Sequence, residues 1–66
     1  MRTYEAALSR AENIAQVRAA IRAIERVGGR VSIGPPAPTG VVVVEITLPE
    51  PYTPDAFVPG LPFYPV

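Results

Sequence analysis

The sequence predicts an α+β fold: one long N-terminal amphipathic helix packed on a two-stranded antiparallel hairpin, followed by an extended proline-rich arm. Three observations carry that expectation. Apolar residues recur at every third or fourth position from Tyr4 to Ile24, the β-branched run "VVVVEITL" follows a double glycine, and six of the nine prolines lie in residues 49–66. Together they divide the chain into a helix–hairpin body, residues 1–48, and an arm, residues 49–66, within one small domain.

Residues 3–28 read as helix. The segment is rich in Ala, Arg and Glu and contains no proline, a composition that favours helix at each position. Tyr4, Leu8, Ala11, Ile14, Val17, Ile21 and Ile24 form one apolar stripe, while Arg18, Arg22 and Arg26 fall on another side of the wheel. Gly28-Gly29 supplies the stop, since glycine readily takes the left-handed conformation that closes a helix. A helix over Thr3–Val27 would be about 37 Å long, whereas a globule of this size measures about 28 Å across. The conflict resolves if the helix protrudes, or if it starts at Ser9, which forms a capping box with Glu12.

"RVSI" (30–33) and "VVVVEITL" (41–48) read as the two hairpin strands around the turn-rich "GPPAPTG". On the second strand Val42, Val44, Ile46 and Leu48 form the core face. Val41 and Val43 lead the opposite face, so that end is expected to be covered as well. Two strands make a marginal sheet, and a third is expected from the arm or from another chain. In the arm, proline forbids helix and central strand, and four of the five aromatic residues are found there. Its apolar burial and its ordering entropy are comparable, so the arm is expected to order only against a surface.

Composition bounds the chemistry. A 66-residue chain with no Cys and no His lacks disulfides, thiolate metal sites and the commonest transition-metal ligand, leaving association as the usual means of stabilising so small a domain. All six arginines lie in the first thirty residues against three glutamates, and residues 31–66 carry Glu45, Glu50 and Asp55 with no basic side chain. Opposite charge in the two halves favours docking, within one chain or between chains. No lysine is present, and the remaining Ser, Thr, Tyr and carboxylate groups show no catalytic or metal-loop spacing. No catalytic, cofactor-binding or metal residue is therefore assigned. Glu45 reads as an outward charge that discourages edge aggregation.

The functional expectation is a non-enzymatic interaction or assembly protein, a homo-oligomer or part of a larger complex, without a small-molecule substrate. Its interface is placed at Tyr52, Phe57, Leu61, Phe63 and Tyr64 of the arm, which anchor in apolar pockets. Arg18, Arg22 and Arg26 then meet Glu50, Asp55 or the Val66 carboxylate of a neighbour. Deleting residues 49–66 is expected to abolish assembly and leave the helix. By analogy, such arms suit shell-like or virion-like assemblies. Three other readings are weaker: a phosphate track along the arginines that binds nucleic acid, a regulatory role on that same face, and display of "PEPYTP" to a proline-recognising domain. The segment "MRTYEAALSRAENIAQ" lacks a signal-peptide core and no run reaches membrane-spanning length, so a cytoplasmic or virion-associated protein is expected.

Overall fold

The computed structural model describes all 66 residues. The chain runs through β1 (Arg2–Leu8), α1 (Ala11–Arg26), β2 (Arg30–Ile33), β3 (Val42–Leu48), a single 3-10 turn (Pro54–Ala56) and β4 (Tyr64–Pro65). The strands form one sheet in the order β2-β3-β1-β4, and every neighbouring pair is antiparallel. Because β1 and β2 both run opposite to β3, they are parallel to each other, with α1 as the crossover and β3 inserted between them. The α+β class and the β2–β3 hairpin stand as read from the sequence. The sheet, however, has four strands, and the long N-terminal helix is absent.

The first correction concerns residues 2–8, which form a strand where a helix was expected. Tyr4 and Leu8 lie four apart, a spacing that fits a helix face and also two steps of a strand. Ala6 between them decides the matter: Ala6 and Leu8 are buried, Tyr4 is half-buried, and Ala7 between them faces solvent. That is strand alternation. The seven-residue register with β3, from Arg2↔Leu48 to Leu8↔Val42, gives these residues a full ladder. The third strand that the hairpin required therefore comes from the N-terminal segment.

Helix α1 begins at Ala11, not at Thr3 or Ser9. Arg10 is its N-cap, in extended conformation and without a side-chain cap. The Arg10 carbonyl accepts from the amides of Asn13 and Ile14 at 3.1 and 3.2 Å. Ser9 lies one residue too early to cap, and Glu12 instead pairs with the Arg10 guanidinium at 2.7 Å. Sixteen residues make about 24 Å of helix, which fits within the 34 Å long dimension of the molecule. Val17, Ala20 and Ile24 are buried against the sheet; of the expected stripe Val17 and Ile24 hold, Ile14 and Ile21 are half-buried, and Ala20 takes a buried place that was not assigned to it. The stop is the expected one too: Gly28, at φ +88, donates to Glu25 O at 3.0 Å and Gly29 to Ile24 O at 2.9 Å, the paired bonds of a Schellman cap.

On β3 the alternation predicted from sequence holds, with Val42, Val44, Ile46 and Leu48 buried. Val43 does not meet the expectation of a covered outer end, since it is 47% exposed. The layers explain why. Helix α1 and the arm lie together on the inner face of the sheet, and nothing in the chain covers the other face.

The arm folds back on its own body. Pro54 and Val58 are buried, Val58 joins the same core cluster as Ile24 and Ile46, and Phe57, Leu61 and Phe63 pack against that cluster. The 3-10 turn satisfies its own backbone, with Ala56, Phe57 and Val58 amides bonded to Thr53 and Pro54 carbonyls. Gln16 Nε2 of the helix donates to Pro59 O at 3.3 Å. The chain then returns as β4 beside β1, with Glu5 opposite Tyr64 and the Val66 amide donating to Thr3 O at 3.0 Å. Proline already restricts the unfolded arm, which lowers the entropy lost on docking.

Candidate interaction surface

Residues that alternate away from the core define a bare sheet face. Three cross-strand rows between β1 and β3 make its centre: Thr3 opposite Thr47, Glu5 opposite Glu45, and Ala7 opposite Val43. The threonine pair is joined by a hydrogen bond between the two Oγ1 atoms at 3.0 Å. The glutamate pair places two carboxylates on adjacent strands, an arrangement that repels. Beyond β3, Arg30 lies beside Thr47 and Ser32 beside Glu45. A shallow depression of about 200 Å³ opens there between Arg30, Ser32, Glu45 and Thr47.

Tyr64 extends the face on the other side. Its hydroxyl donates to Glu5 Oε1 at 3.1 Å. This bond, followed by the charge of Glu5, raises the Tyr64 pKa above its ordinary value. Half of Tyr64 is nonetheless solvent-exposed, at 52%. Glu5 and Glu45 have no cationic partner, because Arg10–Glu12 is the sole ion pair in the chain.

The opposite surface of the molecule is the outer side of α1. Arg18, Arg22 and Arg26 are exposed there, and none reaches a carboxylate. Within one chain, then, Glu50 and Asp55 do not meet these arginines. Beside the arginine row, Ala19, Ala20 and Ala23 line a groove of about 330 Å³ closed on its far side by Ala56 and Phe57.

The residues that sequence reading assigned to the interface divide into three groups. Phe57, Leu61 and Phe63 are half-buried against the chain's own core. Tyr52 stays 40% exposed, with its ring 5.8 Å from that of Phe57, and Tyr64 lies on the bare face. Arg18, Arg22 and Arg26 form their own row on the helix, one layer away. Glu5, Glu45 and Val43 were not assigned to it. The signal for Glu5 was available: reading residues 2–8 with a period of two puts Glu5 outward, opposite to Tyr4, Ala6 and Leu8.

No polar or charged side chain is buried, and no three acidic side chains come close enough together to hold a metal ion. No helix is long and apolar enough to cross a membrane. Comparison with family models, curated proteins and solved structures gave no match.

Proposed function

We propose that this chain is a small assembly protein without catalytic chemistry of its own, which associates with copies of itself or joins a larger protein complex. The observation that carries this reading is the bare face of the four-stranded sheet. An antiparallel sheet tolerates one solvated face when that face is polar. This one mixes polar rows with exposed Val43, Ala7 and Tyr64, and it holds two like charges side by side, which a cationic partner would relieve. Tyrosine on such a face is a favourable anchor, presenting an apolar ring and a polar tip. The arm contributes Tyr64 to this surface while Phe57 and Phe63 pack against the core. The outer edge of β2 is also unpaired in the strand order, a second place where another chain has access.

The test is molar mass by light scattering after size exclusion, across a dilution series. Self-association gives a mass above 7.0 kDa that rises with concentration. A mass that stays at the monomer value to millimolar concentration overturns self-association, and capture of a different protein on the Glu5–Glu45 face then becomes the form of the reading to test.

A further inference from the structure

The bare face and the arginine row are on opposite sides of a two-layer molecule, and the charges of Glu5, Glu45, Arg18, Arg22 and Arg26 are in no ion pair. We infer that copies of this chain associate head to tail, the Arg18–Arg22–Arg26 row of one copy seated on the Glu5–Glu45 pair of the next. This inference rests on the self-association proposed above and specifies its geometry.

Spacing supports the match. Residues four apart on a helix rise by about 6 Å, and carboxylates opposite each other on neighbouring strands are separated by about 5 Å at their Cβ atoms. A helix lying across the strands therefore brings two successive arginines over the two glutamates. The guanidinium group suits this role, because it binds a carboxylate through two parallel N–H donors. The surfaces beside the charges are also suited to close approach: Ala19 and Ala23 leave the helix low next to the arginines, and Ala7 and Val43 leave the sheet low next to the glutamates.

A second copy is favoured over nucleic acid as the occupant of the arginine row. The chain has no net charge, and Glu25 stands among the arginines on the exposed helix surface, which weakens a phosphate track. Because the two contact surfaces differ and face away from each other, the contact is heterologous. Each added copy leaves one helix row and one sheet face open, so the association propagates until a ring closes or a filament grows.

This geometry is tested with two variants, R22E/R26E, which disables the helix row, and E5K/E45K, which disables the sheet face. Far-UV circular dichroism checks that both remain folded. Each variant alone is expected to associate at least about tenfold more weakly than the parent chain. Mixed together in equal amounts, they are expected to assemble again as alternating copies, with a mass above that of either variant alone, because the intact row of one meets the intact face of the other and the row made acidic meets the face made basic. Variants that assemble like the parent, or a mixture that stays monomeric while the parent assembles, overturn the head-to-tail contact and leave self-association standing through another surface. A parent chain that is itself monomeric at every concentration overturns both. Should R22E/R26E lose retention of duplex DNA with no change in mass, the row binds nucleic acid and the inference fails. If a variant does not fold, salt supplies the test on the parent chain. Raising ionic strength from about 0.01 to about 1 M shortens the screening length from about 30 to about 3 Å, and assembly that is insensitive to this change contradicts the charge match.

Discussion

Tyr64 and Glu5 are 59 residues apart in the chain and joined by a hydrogen bond of 3.1 Å. Through this bond the chain's closing segment is held against its opening strand, on the one sheet face that nothing covers. The bond makes the Tyr64 phenol harder to ionise, and the negative charge of Glu5 adds to the effect. A folded-state pKa raised above the unfolded one means a contribution that is complete below the ordinary value of 10.0 and is lost as pH rises through the raised value. In an absorbance titration of tyrosinate, Glu5→Gln is expected to bring the Tyr64 transition to lower pH, with Tyr64→Phe identifying which transition is its own. An unchanged titration in Glu5→Gln means the bond does not form in solution.

Val58 tests whether the arm is part of the fold. Its side chain is fully buried in the common core, and truncating it to Ala removes two methyl groups and leaves a cavity. The expected loss is about 2–3 kcal/mol, from about 0.8 kcal/mol per group plus the cavity term, read from the shift of a urea midpoint. Removing residues 49–66 altogether takes away Val58 and Pro54 and uncovers the part of the sheet's inner face that α1 leaves open. The truncated chain is therefore expected to lose cooperative unfolding. A truncated chain that melts like the parent would make the arm a separate, loosely attached segment.

The double glycine at the end of α1 offers a comparison between two causes of strain. At Gly29 a Cβ would meet Thr47 O at 2.7 Å and Ile24 Cγ2 at 2.8 Å, so Gly29→Ala forces helix and sheet apart. At Gly28 the space is open, but φ is +88, and a non-glycine residue there costs about 1–2 kcal/mol. Gly29→Ala is expected to destabilise by at least as much, about 1–3 kcal/mol for an overpacked site. Thermal melts of the two single variants separate the cases, because Gly28→Asn should recover part of its loss and Gly29→Asn should not.

Glu45→Gln separates stability from association. It removes the like-charge pair with Glu5, so the isolated chain is expected to gain about 0.2–1 kcal/mol at low salt, with the gain shrinking as salt is added. The same change removes a carboxylate from the proposed contact, so self-association should weaken. Denaturation of dilute protein, set beside light scattering of concentrated protein, reads the two effects separately. If both quantities move in the same direction, the carboxylate pair is not kept side by side for the benefit of a partner.

Much of the fold was legible in the chain. The β2–β3 hairpin, the buried valines of β3 and the glycine stop of α1 follow from local patterns that involve few residues and leave one solution. Residues 2–8 did not, because Tyr4 and Leu8 satisfy two periodicities and the surrounding alanines favour helix. Tertiary pairing with seven residues of β3 overrode that preference. The mismatch between a 37 Å helix and a 28 Å globule was the available warning. The arm's aromatic content signalled burial at Phe57 and Phe63 but not at Tyr52 and Tyr64, which stay exposed, and no local pattern distinguishes burial against the chain's own core from burial in a neighbour. The bare face was hidden for the same reason: until β1 was recognised as a strand, Glu5 had no place opposite Glu45.

The most direct measurement follows backbone amide shifts by NMR as the protein is diluted from millimolar concentration. Assembly through the bare face predicts concentration-dependent shifts or broadening at Thr3, Glu5, Val43, Glu45 and Tyr64, together with Arg18, Arg22 and Arg26, while the buried residues around Ile46 stay unchanged. Changes confined to Arg30–Ile33, or no changes at all, would contradict it.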